Sequence, residues 1–445
     1  MRRSGRRSRG REVRLMKKEK SSSKSRRKSD QDGSRTFGKA TATLFTAAMI
    51  VGTGLFTSVG AATAKAGSGV LIAMLIGGLI ALSTGISAAQ VGVNYPEEGG
   101  AFIWLRNFGF SRISFLAGCS YLFEGIIGLG ILALGFATYT AQIFPQVPIK
   151  LGASLALIAV AVINVFGVSP TAKVLIGVFF LNVVFLGIYV FVGVPQAHFQ
   201  NLWPVLGSHG VGGVLSGAAT FFWTWDGFQR TAIMANTIKK PRTTIPFAVV
   251  GGISIAAIIY VLVAGTTLSV LGPEKMGKTD TPIFTCATAL VGWGGWLIIA
   301  SAWMTAFSEM LGDLLATSRV GHAMGKEHEL PRWLSAMNKR FHSPHHSLMA
   351  LTIIGLVLVF FVPLRSLMPV ASAFTLVWYG ATHYSALQLK EKERFAPRAV
   401  SWLGIAACFG LFASLPLWSI ALAAEILILL AGTRWSLAHG RLSPA

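Results

Sequence analysis

From Ala40 to Trp435 the chain is apolar almost without interruption, and the sparse polar positions act as boundaries within it. Charge, Gly or Pro divides this stretch into runs near 40–64, 69–93, 114–143, 151–168, 173–195, 211–236, 245–271, 286–318, 347–363, 367–389, 399–416 and 418–433. One α-helix needs roughly 20 apolar residues to cross a bilayer. The pattern therefore predicts an all-α polytopic membrane protein of about twelve transmembrane helices, with no sizeable soluble domain.

Composition removes the main alternative. The 445 residues are 53% hydrophobic and only 13% charged, whereas a soluble domain carries about 25% charged residues. An ordinary soluble enzyme is excluded. Cys119, Cys286 and Cys408 lie inside apolar runs without paired spacing, so neither a disulfide framework nor a zinc site is expected. His342, His345 and His346 read as loop residues near a helix start. No metal, cofactor or phosphate-cradling loop is expected.

The net charge of +22 is unevenly placed. Residues 1–39 hold 16 of the 39 Lys and Arg against Glu12, Glu19, Asp30 and Asp32. Such a tail of Arg, Lys and Ser cannot build a core and is expected to be disordered. It suits a cytoplasmic topology anchor that touches anionic lipid better than a nucleic-acid arm. Met16 offers a second start. With the N-terminus inside, 34 of the 39 basic residues fall in inner segments, and without the tail the split is 18 to 5. Both termini are expected in the cytoplasm of a plasma or inner membrane protein.

Two runs carry a central interruption that apolar packing does not require. Gly52-Thr53-Gly54 lies halfway along the first, and Trp223-Thr224-Trp225-Asp226-Gly227 halfway along the sixth. Gly lets the backbone leave helical geometry, and an Asp in lipid is very costly unless it faces protein or water. Unwound midplane backbone exposes N–H groups on one half-helix and C=O groups on the other, which together can hold a carboxylate and an ammonium. For a lone Gly pair, close helix packing is the better explanation. Two breaks at corresponding places in successive five-span blocks, 40–195 and 211–389, instead suggest an inverted repeat with the substrate between them. Segments 399–433 and 434–445 supply two further helices and a cytoplasmic end.

Four motifs in order resemble the amino acid–polyamine–organocation transporters, including amino acid permeases and basic amino acid antiporters. They are Ile50-Val51-Gly52-Thr53-Gly54-Leu55-Phe56; Tyr95-Pro96-Glu97-Glu98-Gly99-Gly100-Ala101-Phe102 with Arg106-Asn107-Phe108-Gly109; Asp226-Gly227-Phe228 with Lys239-Lys240-Pro241 and Ile245-Pro246; and Ser318-Arg319, Leu330-Pro331 and Ser343-Pro344. The resemblance covers nearly everything after the tail. It implies a LeuT-like 5+5 inverted repeat, broken helices one and six, and a small-molecule amino acid or amine substrate. The chain departs from the family where two acids often precede the Lys/Arg-x-Pro segment, since Asn236-Thr237 stand there. It departs again at Gln229, a frequent acid, and at Asn182, where some proton-coupled members carry Lys.

Five carboxylates fall within the predicted spans: Glu124, Asp226, Glu309, Asp313 and Glu425. Arg230, near the cytoplasmic end of helix six, is the exception in a mostly negative interior. By the resemblance, Glu124 meets the side-chain end of the substrate, Asp313 lies on the pocket side of helix eight, and Trp223 closes over the substrate. Glu309 is one turn before Asp313 and shares its face. A cationic side chain would be received by Glu124 and Asp313; the alternative is protonated helix glue or proton relay. Glu425 suits a structural role.

The expected substrate-binding set is Ile50, Gly52, Thr53, Gly54, Glu124, Trp223, Trp225, Asp226, Gly227 and Asp313, with Asn182, Glu309 and Asp313 as coupling candidates. The coupling ion, H+ or Na+, or a counter-substrate is left open, with Thr305, Ser308, Thr317 and Ser318 as hydroxyls along helix eight. The reading is a secondary amino acid transporter working by alternating access, with a cationic substrate. The alternatives are a polyamine or other organic amine, a neutral amino acid, and a non-transporting amino acid sensor. Oligomeric state cannot be read from the sequence.

Overall fold

The computed structural model describes residues 37–97, 99–167, 172–233, 238–338, 340–341 and 343–440, with side chains placed except at 232–233 and 435–440. The expectations for the basic tail before Phe37, Glu98, Asn236-Thr237 and His342 lie outside those residues. Among the described residues the structure is helical and contains no strand beyond one isolated bridge, Phe37 with Ile238.

The first run is two helices, α1 (Lys39–Ile50) and α2 (Thr53–Ala66), and the second is α3 (Val70–Asn94). A short amphipathic helix α4 (Gly100–Asn107) precedes α5 (Ser111–Thr140), α6 (Ile149–Val165) and α7 (Ala172–Gly193). The sixth run comprises α8 (Gly210–Phe221), a 3-10 turn at Phe222–Trp225 and α9 (Phe228–Ile233). Next come α10 (Pro241–Leu271), α11 (Pro273–Lys278), α12 (Pro282–Leu290), α13 (Gly294–Lys326), α14 (His345–Phe361), α15 (Leu364–Leu387), α16 (Arg398–Ala413) and α17 (Leu417–Gly440).

The run expected at 286–318 divides differently from its apolar boundaries. A turn at Val291–Trp293 separates α12 from α13, and α13 continues to Lys326. Hydropathy locates lipid rather than helix ends, so the polar final turns escaped it. Six stretches among the described residues are long and apolar enough to cross a membrane, and α6, α14 and α16 are shorter apolar helices. The expected count of about twelve exceeds these six. Part of the difference lies in the breaks at Val51–Gly52 and Asp226–Gly227, which divide runs into shorter helices.

Exposure sorts the helices. The most apolar stretch of α5 is 89% buried and that of α17 only 11%, which puts α5 at the centre and α17 at the rim. α5 packs against α13 and α15, α10 against α1 and α3, and α2 against α8. Phe191, Phe361, Leu403 and Leu417 stand largely exposed on the outer faces. Large apolar side chains in that density suit lipid and not water. The chain is an integral membrane protein.

Candidate functional site

The two breaks meet at the centre. α1 ends at Ile50, the backbone extends through Gly52, and α2 restarts at Thr53 with no side-chain cap from Gly52. The first N–H groups of a helix have no partner inside it and attract negative charge. Here Glu309 of α13 supplies that charge: the Thr53 N–H donates to Glu309 Oε2 at 2.7 Å. A Cβ on Gly52 would collide with the same carboxyl, and one on Gly54 would lie 2.7 Å from Thr224 Cγ2. These glycines serve close approach to other elements.

In the second break, α8 tightens into the 3-10 turn, Asp226 is extended, and Gly227 takes φ 111° before α9 begins. A side chain at Gly227 would strike the Met49 carbonyl at the end of α1. Tyr260 of α10 joins the breaks, its hydroxyl lying 2.7 Å from the Ile50 carbonyl and 3.0 Å from that of Thr224. Farther along, the Thr46 and Thr231 hydroxyls are 2.8 Å apart, and the Lys239 N–H donates to the Phe37 carbonyl at 2.9 Å. The Thr46–Thr231 contact fastens α1 to α9 directly, and the other two tie the segments that flank them.

Around the breaks the structure brings together Glu124, Trp223, Asp226, Gly227, Glu309 and Asp313, and adds Arg230 to them. Trp223 Nε1–H donates to Glu124 Oε1 at 2.8 Å. The Tyr379 hydroxyl donates to Asp226 Oδ1 at 2.9 Å. Arg230 Nη2 donates to Asp313 Oδ1 at 2.6 Å, and Asp313 Oδ2 is buried without a partner among the described residues. Arg230 therefore belongs to the pocket, because the break after Asp226 turns α9 inward. Four carboxylates face one guanidinium here. The space left between them is about 10 Å³, room for roughly one water. The site is closed, and an amino acid could enter only after helices move.

Several expected residues lie elsewhere. Trp225 packs over Gly77 and Gly78 of α3 and meets Tyr260 edge-on, with ring centroids 4.9 Å apart. Asn182 of α7 accepts from the Ser301 hydroxyl, two turns, or about 12 Å, along α13 from Glu309. The hydroxyls of Thr305, Ser308 and Ser318 donate to carbonyls of their own helix. Glu425 is exposed on α17, away from the pocket. Tyr260 and Tyr379 were not anticipated. Each is a hydroxyl within an apolar run, a signal available in the sequence but weak by itself.

Comparison with known proteins sets this geometry in context. A sequence profile for amino acid permeases matches residues 37–430. An uncharacterized transporter of Mycobacterium tuberculosis is 27% identical over 88% of this chain and 89% of its own. The vacuolar cationic amino acid transporter 8 of Arabidopsis thaliana is 27% identical over 74% of this chain and 58% of its own. A branched-chain amino acid permease of Lactococcus lactis is 26% identical over 77% and 79%, respectively.

Proposed function

This chain belongs to the amino acid permease family, a family of membrane transporters, and we propose that it is a secondary transporter of cationic amino acids working by alternating access. In this scheme the chain is a LeuT-like inverted repeat of 40–195 and 211–389 with both termini in the cytoplasm. The substrate carboxylate takes the N–H groups at Gly52, Thr53 and Gly54, and its ammonium takes the carbonyls of Ile50 and Thr224. Fastened together, α1 and α9 swing as a pair against the scaffold of α5, α13 and α15 and open the site to one side.

The observation that carries the choice of substrate is the excess of carboxylate around the pocket, four groups against Arg230, with Glu124 and Asp313 buried and Asp226 and Glu309 half-buried. Buried charge of one sign is costly without a partner, and a cationic side chain supplies one. Glu124 is the receiver. Asp313 is already engaged by Arg230, so its role is to hold that cation. The engagement also favours a second reading, a neutral substrate lying against Met49 and Leu132, which line the same pocket.

Uptake of labelled arginine, lysine and leucine into proteoliposomes separates the readings. Arginine or lysine uptake that is lost in Glu124→Ala supports the proposal. Leucine uptake alone, indifferent to Glu124, establishes the neutral reading. Amino acid binding with no flux would make the protein a sensor.

A further inference from the structure

The seat assigned above to the substrate carboxylate is already held by a carboxyl of this chain. Glu309 reaches it from α13 and accepts from the Thr53 N–H at 2.7 Å. The notch at Gly52 is so close around that carboxyl that even a methyl group there would collide with it, and the pocket beside it is about 10 Å³. Two carboxyl groups cannot occupy the notch together. A substrate carboxylate must therefore displace Glu309.

Where the displaced group can go is limited by its neighbours. On its own helix Asp313 lies one turn away; Glu124 comes from α5, and Asp226 from the break after α8. Arg230 of α9 is the nearby cation, and it already donates to Asp313. Tyr260 of α10 presents a neutral hydroxyl whose contacts are the Ile50 and Thr224 carbonyls. An ionised Glu309 would leave a favourable helix N-terminus for a buried region rich in carboxylates, which is costly for a charge. A protonated Glu309 avoids that cost and gains a donor of its own.

We propose that Glu309 is a tethered competitor for the α-carboxylate seat and yields it by taking up a proton, so that one proton enters the site with each amino acid. This rests on reading the α2 N-terminus as the carboxylate seat. The charge balances: Glu309 passes from −1 to 0 as the incoming carboxylate brings −1. The proton comes from the solution to which the site is open and is returned when Glu309 reoccupies the seat on the other side.

The test is binding of L-arginine and L-leucine to the full-length chain in detergent, in weakly buffered solution containing a pH indicator. Wild type should take up about one proton per bound amino acid in the range where Glu309 is ionised, and affinity there should fall about tenfold per pH unit as pH rises. Glu309→Gln should remove the slope, while Glu309→Asp, which keeps an acid on a shorter arm, should retain one. Binding with no proton uptake and no slope in wild type overturns the inference and points instead to Glu309 swinging onto Arg230 as an anion. An unaltered slope in Glu309→Gln overturns it too, and in both cases the amino acid site stands. Absence of binding of either amino acid at every pH overturns the site and the inference together.

Discussion

Arg230 and Asp313 are 83 residues apart in the chain and meet inside the membrane domain with Nη2 and Oδ1 separated by 2.6 Å. Both side chains are largely buried. Their value to the protein lies less in attraction than in what either would cost alone, since desolvation offsets most of the Coulomb gain of a buried pair. Removing one partner strands a buried charge at a cost of about 3–5 kcal/mol. Arg230→Gln and Asp313→Ala should each lower the unfolding temperature in detergent markedly. The double variant Arg230→Met with Asp313→Leu should recover much of the loss. Equal losses in the single and double variants would show that the pair is not what holds α9 to α13.

Tyr260 supplies a second test, because its hydroxyl serves the two carbonyls that the proposed mechanism gives to the substrate ammonium. Tyr260→Phe removes the single O–H that these two carbonyls share, and leaving a buried acceptor unsatisfied costs about 1–3 kcal/mol. The same change removes a competitor of the ligand. Substrate should therefore raise the unfolding temperature more in Tyr260→Phe than in wild type, by ligand linkage. A smaller rise would place the ammonium elsewhere.

How far these relationships can be read in advance depends on their range. The breaks were legible, because Gly52, Gly54 and Gly227 interrupt apolar runs and Asp226 is too costly for lipid. The partners of the breaks were not. Glu309 reaches Thr53 across 256 residues, and nothing local to either end signals the other. Counting residues puts Arg230 toward the membrane edge, but counting assumes a continuous helix, and the extended Asp226 with Gly227 at φ 111° redirects α9 into the pocket. Trp225 departs from expectation for a related reason. Adjacent to the break in sequence, it points through the 3-10 turn toward α3, where Gly77 and Gly78 make room for its ring.

Gly227 is predicted to be far less replaceable than most glycines in the chain. It combines a positive φ with a clash between any Cβ and the Met49 carbonyl, so strain and steric conflict act together, at more than about 1 kcal/mol. Gly227→Ala should abolish uptake or sharply reduce folded yield. Gly380 and Gly432 lie inside α15 and α17, with open space where a Cβ would stand. Alanine there should be neutral or stabilising by up to about 1 kcal/mol, since glycine weakens a helix interior. Comparable losses at all three positions would mean that helix flexibility, and not contact between the breaks, is what transport requires.

Trp223 and Glu124 offer the sharpest test of substrate class, since the indole N–H donates to Glu124 Oε1 at 2.8 Å. A hydrogen bond to a charged group contributes about 1.5–3 kcal/mol, and 1.4 kcal/mol corresponds to about tenfold in an equilibrium constant. If a cationic head meets Glu124, Glu124→Gln should raise the KM for arginine about ten- to a hundredfold and change that for leucine little. Trp223→Phe should act in the same direction but more weakly, because it releases the carboxylate from its fixed position without removing its charge. The two changes should be strongly non-additive, as expected for groups in direct contact. Once the carboxylate is gone, losing the indole donor has little further effect on arginine. Additive effects, or equal changes for arginine and leucine, would show that the Trp223–Glu124 bond stabilises the fold around the break and leaves selection of the side chain to other residues.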